Sequence, residues 1–297
     1  MTDIGVPPPG YRLPQSAHIG RVRLQIGDLD QSVTYYETVL GFRTLQKFEG
    51  SATLAAANDN TVLIELCQRH GVARMPRRGL LGLYHFAVLL PNRASLGQFL
   101  LHLSAIGIQP GIADYLVSEA LYLTDPDGLG VEVYADRPRE SWTSAGGQLE
   151  MATKPLDTES LVESAGGERW TGAPAGTRIG HLHFHVGDLE RAALFYHAAV
   201  GLDKTVWGYP GALFMAAGGY HHHVGVNTWA AGARLANDDD ARLLDWELVL
   251  PDSPSAESAA KSIESAGFAV DRIDGCVTAT DPWGIRVRLH VSSEPRE

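Results

Sequence analysis

The chain is poor in cysteine, with only Cys67 and Cys276 among 297 residues. That excludes a disulfide scaffold or a zinc ribbon and fits small strand residues in a reducing compartment. No block of Lys and Arg occurs, and the formal net charge is −11 at pH 7. A chain of that sign repels phosphate, so neither nucleic acid nor an anionic membrane surface is expected as a partner. No run approaches the roughly 18 unbroken apolar residues of a membrane helix. The N-terminus lacks a charged-then-apolar signal pattern. There is no Gly-x-Ser-x-Gly elbow for a nucleophilic hydrolase and no Gly-rich phosphate loop for a nucleotide. What is present, 44% hydrophobic and 20% charged residues, describes an ordinary globular protein, expected to be soluble and cytoplasmic. Its length is about twice that of one domain, which predicts two domains or an internal repeat.

The repeat is there. Arg21-Val-Arg-Leu-Gln-Ile-Gly-Asp-Leu29 reappears as His181-Leu-His-Phe-His-Val-Gly-Asp-Leu189. Tyr35-Tyr36 recurs as Phe195-Tyr196, Leu90-Pro91 as Leu250-Pro251 and Gly107 as Gly267, all offset by 160 positions. Thr124-Asp-Pro126 matches Thr280-Asp-Pro282 at an offset of 156, as a shorter loop would produce. Each half divides again. An alternating stretch at 21–26 precedes an amphipathic helix with Leu29, Val33, Tyr36 and Leu40 on one face, stopped by Gly41. Strand candidates Ala52–Ala56 and Val62–Cys67 follow. The same order returns as a strand at 84–90, a helix around 94–106, and strands at 117–123 and 130–135. The expected fold is therefore α+β: four βαβββ modules at 18–67, 83–135, 179–229 and 245–291, curling into two open mixed β-barrels. The expected division is an N-terminal half, 1–136, a linker rich in Ser, Gly and Thr, 137–177, and a C-terminal half, 178–297.

Within this frame the histidines stand out. His181, His183 and His185 alternate with Leu182, Phe184 and Val186, which puts three imidazoles on one strand face. The repeat aligns His181 with Arg21, and the first strand of the second module in each half carries His85 or Asp245 there. On the last strand, Glu132 corresponds to Arg288. His85, His181 and Glu132 would give a metal two imidazoles and a carboxylate. Arg21, Asp245 and Arg288 could not bind a cation but could satisfy one another as ion pairs, with Arg23, Glu247 and Arg286 on the same faces. One complete ligand set and one charge-balanced set arise only if module two pairs with three, and one with four.

These modules resemble the vicinal oxygen chelate superfamily, which includes glyoxalases, bleomycin resistance proteins and extradiol dioxygenases. Gly82-Leu-Tyr-His-Phe-Ala-Val-Leu-Leu-Pro91, Val117-Ser-Glu-Ala-Leu-Tyr-Leu-Thr-Asp-Pro-Asp-Gly128, Val131-Glu-Val-Tyr-Ala-Asp-Arg-Pro138 and Gly218-Gly-Tyr-His-His-His223 are similar to four-module catechol 2,3-dioxygenases. The resemblance implies an enzyme holding Fe(II), less often Mn(II), on His85, His181 and Glu132, with open positions for a catechol and O₂. The expected reaction is extradiol ring opening to a muconic semialdehyde, and the expected partners are a small aromatic diol and O₂, with self-association into a homo-oligomer also compatible. Tyr122, ten positions before Glu132, matches the family's substrate-binding tyrosine. A catalytic histidine is expected in the His221-His-His223 run, with His223 first in register and His222 the alternative. His183 and His185 are expected in the pocket away from the metal. Relatives often place a histidine after the aspartate where this chain has Asp114-Tyr115, so both residues are candidates for the substrate mouth.

Three other readings compete. A His-x-His strand also opens amidohydrolase-type barrels, but those need eight strand–helix alternations and this chain has about four helices. A metal-dependent isomerase or lyase of the same superfamily would share the ligands. A non-enzymatic, ligand-sequestering resistance protein would usually lack them.

Overall fold

The computed structural model describes residues 4–273 and 276–291, so the outermost ends of the expected halves, 1–3 and 292–297, lie outside the described residues. Module one comprises β1 (His18–Ile26), α1 (Leu29–Thr38), β2 (Arg43–Phe48), β3 (Ser51–Ala55) and β4 (Ile64–Gln68). Module two comprises β5 (Gly82–Leu89), α2 (Arg93–Ala105), β6 (Gly111–Asp114), β7 (Ser118–Thr124) and β8 (Gly130–Asp136). The connecting segment forms a small hairpin, β9 (Ser144–Ala145) and β10 (Gln148–Leu149), and a short helix, α3 (Thr158–Ser164). Module three holds β11 (Arg178–His185), α4 (Leu189–Ala193), a π-helical continuation (Leu194–Ala199), β12 (Asp203–Val206), β13 (Ala212–Ala216) and β14 (Val224–Asn227). Module four holds β15 (Arg242–Leu250), α5 (Ser253–Ser265), β16 (Val270–Ile273), β17 (Cys276–Thr280) and β18 (Arg286–Val291).

The repeated sequence explains the repeated starts. Asp28, Asn92, Asp188 and Asp252 each cap a helix, their side chains accepting the backbone N–H three residues on. Such a cap is worth about 1 kcal/mol. Leu29, Val33 and Tyr36 are buried on one face of α1, and Leu40 is buried just beyond its end. Gly41 follows in a left-handed conformation, φ +73°, which few side chains adopt. β2 and β6 were not legible as strands. Both lie at sheet ends, and β2 buries none of its residues while β6 spans four, so neither carries a two-residue hydrophobic alternation.

Strand pairing crosses the halves. One eight-stranded mixed sheet runs β16-β17-β18-β15-β1-β4-β3-β2 and joins modules four and one. The other runs β12-β13-β14-β11-β5-β8-β7-β6 and joins modules three and two. This is the pairing that charge and ligand balance select. A continuous core lies against both sheets and includes Phe184, Tyr196 and Trp246.

Candidate metal centre and its cavity

Sheet register brings the metal candidates together. Across neighbouring strands, Tyr122 of β7 faces Glu132 of β8, Glu132 faces Ala87 of β5, and Ala87 faces His181 of β11. The methyl of Ala87 leaves room in the middle of that row. His85 lies two residues along β5, on the same face, opposite His183. One oxygen of Glu132, Oε2, is 3.0 Å from His85 Nε2 and 3.2 Å from His181 Nε2. All three residues are at most 4% exposed, and one ligand atom from each lies within 4.8 Å of the others.

This donor set fits a metal ion. Only the His181 contact has hydrogen-bond geometry; His85 Nε2 is buried without a hydrogen-bond partner, although a carboxylate oxygen stands beside it. A buried imidazole nitrogen left bare is costly unless something accepts its lone pair. Burial alone would raise the Glu132 carboxyl, but the His181 and His85 imidazoles outweigh it and hold the group below the usual carboxylate range. Burial pushes His181 below its ordinary value, against the attraction of Glu132. An anionic carboxylate beside two imidazoles with lone pairs is the ligand chemistry of a 2-His-1-carboxylate site.

The centre opens into a cavity of about 120 Å³. Tyr122, Tyr115, His183 and His222 line it together with His85 and Glu132. The Tyr122 hydroxyl donates to the Tyr115 hydroxyl at 2.8 Å. Burial, then the charge of Glu132, keeps Tyr122 protonated far above its ordinary value. Tyr115 is held in place by a strained turn, since Leu116 has φ +70°. Asp114 is not among the cavity residues. Its carboxylate accepts from the Leu116 amide at 2.8 Å and pairs with Arg137 at 2.7 Å, so it braces that turn. His185 is not on the cavity either: it bonds Asn227 at 2.7 Å and packs on Tyr84.

The histidine run divides. His221 to His223 precede β14 instead of lying on it, so strict strand alternation does not apply. His222 faces the cavity, its ring centroid 4.0 Å from that of His181. His223 turns away: its Nδ1 accepts from the Ala217 amide at 3.1 Å, and its ring lines a separate open cleft with His18 and Arg178. His221 is buried between, with Nε2 2.9 Å from Asp136 Oδ1 and Nδ1 2.7 Å from His222 Nδ1. A carboxylate only accepts, so His221 Nε2 carries hydrogen. In the tautomer whose His221 Nδ1 is bare, His222 Nδ1–H donates to it and His222 Nε2 is the free acceptor. Burial, then the neighbouring imidazoles His181 and His221, holds His222 well below its ordinary pKa.

Several cavity residues were not anticipated. Tyr84 should point away from His85 on a regular strand. Here the register slips between His183 and Phe184, which oppose His85 and Leu83, so Tyr84 is the bulged residue and reaches the cavity as well. Met151 and Thr153 come from the segment read only as a linker, and Tyr209, Phe214 and Trp229 from module three. Linker residue Lys154 exchanges two backbone hydrogen bonds with Asp114, which fixes this segment beside β6. Aromatic density in 207–229 was the one available signal, and it carries no period.

The sequence model of the Glyoxalase/Bleomycin resistance protein/Dioxygenase superfamily matches residues 18–133. A Bacillus subtilis (strain 168) protein named catechol-2,3-dioxygenase is 42% identical over 272 residues, covering 90% of this chain and 95% of that protein. A solved structure from Bacillus subtilis subsp. subtilis str. 168 superposes with TM-score 0.65 at 12% identity, over 96% of this chain and 87% of the other. Glyoxalase I from Zea mays superposes with TM-score 0.54 at 18% identity, over 92% of each chain. At those identities the two structures speak for the fold alone.

Proposed function

This chain belongs to the Glyoxalase/Bleomycin resistance protein/Dioxygenase superfamily, and from that premise we propose that it is an extradiol dioxygenase cleaving catechol or a substituted catechol with Fe(II), Mn(II) being the alternative ion. The observation that carries the reading is the buried His85–Glu132–His181 set at the end of a cavity of about 120 Å³ lined by Tyr122 and His222. The 42% identity to a protein named catechol-2,3-dioxygenase supports the same substrate and reaction.

In this reading His85, His181 and Glu132 hold the ion from one side. When bound, the ion supplies a Lewis-acid centre and an electron relay that makes the reaction of a diol with dioxygen accessible. Tyr122, across the strand pair from Glu132, orients a substrate oxygen through its protonated hydroxyl. His222 Nε2 takes the proton released by the second diol oxygen and returns it as the ring opens. Asp136 and His221 fix the tautomer in which that nitrogen is free. Tyr84, Tyr115 and Trp229 stack around the ring and exclude water. Both atoms of dioxygen enter the product, so no further oxidant is required.

The experiment is oxygen uptake with catechol, using protein reconstituted anaerobically with Fe(II), while watching for a yellow ring-opened product. Uptake of about one dioxygen per catechol with that colour is expected. Iron retained at one per chain without uptake on any diol would reject the dioxygenase and favour an isomerase or lyase on the same ligands.

A further inference from the structure

The lining of the cavity carries information about the substrate beyond its class. Its volume, about 120 Å³, is small. An apolar cavity of about 150 Å³ takes a single benzene ring, whereas sites for larger ligands run to roughly 300 Å³ and above. On its solvent side the Thr153 and Tyr209 hydroxyls lie 2.6 Å apart, joining the linker to the loop before β13. Tyr84 and Trp229, both partly exposed, pack edge to face at 5.7 Å beside them.

The charge of the lining is equally restrictive. Among the described residues no Arg or Lys lines the cavity, and Glu132 is the one carboxylate that does. The nearby guanidiniums of Arg93 and Arg137 are not free to help, because both are held by the buried Glu119 carboxylate, at 2.6 and 3.0 Å. The Thr153 and Tyr209 hydroxyls are paired with each other. A carboxylate substituent on the substrate would lose its hydration and gain no cation.

We propose that this cavity selects uncharged, single-ring catechols, with size limited by its volume and the Thr153–Tyr209 pair and charge limited by a lining without a cation. The proposal rests on the dioxygenase reading for its substrate class, and its test is binding, not turnover. Isothermal titration calorimetry under nitrogen on Fe(II)-loaded protein would compare four probes: catechol, 4-methylcatechol, 3,4-dihydroxybenzoate and 2,3-dihydroxybiphenyl. The two small neutral diols should bind at least about tenfold more tightly than the other two, the scale of a lost polar partner or a steric misfit. In Tyr209→Ala, the affinity of 2,3-dihydroxybiphenyl relative to catechol should rise about fivefold or more, while that of 3,4-dihydroxybenzoate relative to catechol stays fixed. Either refused diol binding wild-type protein within tenfold of catechol overturns the proposal, as does an unchanged biphenyl ratio in Tyr209→Ala. Oxygen uptake is scored separately. The expected binding order without uptake would keep the selectivity and reject the dioxygenase, and uptake with the wrong order would do the reverse.

Discussion

His222 and His223 are adjacent in the chain and face different cavities, so single substitutions test which of them carries the proposed proton transfer. His222→Ala should keep iron at one per chain and lower kcat/KM for catechol by about 10²- to 10⁴-fold, the usual worth of a placed acid–base group. His223→Ala should change it little. Oxygen uptake and metal content on both variants check this, and a larger loss in His223→Ala would return the role to that residue. The contrast also shows what the sequence could tell at this scale. His85, His181 and Glu132 are legible because their counterparts in other modules are visible in the repeat, and Tyr122 because the family resemblance places a tyrosine ten positions before the ligand glutamate. The choice within the histidine run was not, because it depends on a turn before β14 and on Asp136 reaching His221 from another module. Tyr84, Thr153 and Tyr209 were invisible for a related reason, since a bulge and two irregular segments place them.

At the scale of elements, the repeated Tyr and Thr-Asp-Pro signals turn out to be two ends of one contact. The Tyr36 hydroxyl of α1 donates to Asp125 at 3.1 Å, and the Tyr196 hydroxyl donates to Asp281 at 2.9 Å. Each contact ties the helix of one module to the loop of the next in the same half, while the sheets tie the halves together. Both carboxylates also accept two backbone N–H groups in their own turns. Burial pushes Asp125 up to about 7 and Asp281 up to about 6, against the amides that favour the charged form. A carboxyl raised above its unfolded value of about 3.9 binds its proton more tightly in the folded chain. The stability it contributes is present below that value and lost as pH rises through the folded one. Thermal midpoints should therefore fall between pH 5 and 8. Asp125→Asn, which keeps the acceptor for both amides, should flatten that fall. An equally steep decline in the variant would show Asp125 already charged in the folded state at pH 5.

At the scale of the molecule, the two sheets are one architecture used twice with different contents. Where the second sheet holds His85, Glu132 and His181, the first holds a half-buried charge network. Arg21 reaches Glu65 and Glu247, each at 2.7 Å, and Arg23 reaches Asp245 at 2.6 Å and Glu65 at 3.1 Å. Arg288 Nε approaches Asp245 at 3.4 Å. The partners differ in detail from a simple Arg21–Asp245–Arg288 set, because Glu65 on β4 joins in, a residue with no counterpart in the ligand triad. The logic is the same: three guanidiniums face three carboxylates, leaving no vacancy for a cation. Charge balance and a complete ligand set together therefore revealed which modules pair, even though sequence distance suggests otherwise. The consequence is testable across the molecule. Arg21→Ala leaves Glu247 without its cation and Glu65 with Arg23 alone, and because Arg21 keeps a side-chain exposure of 23% solvent screens part of the loss, so about 1–2 kcal/mol of stability should disappear. The candidate metal centre lies on the other sheet, and protein loaded with Fe(II) should retain it in this variant. Glu132→Ala should do the opposite, stripping the ion while the apo protein stays folded. Denaturant unfolding with metal analysis on both variants decides it, and iron lost from Arg21→Ala would mean that the network and the metal centre are coupled through the shared core and are not two independent fillings of the same fold.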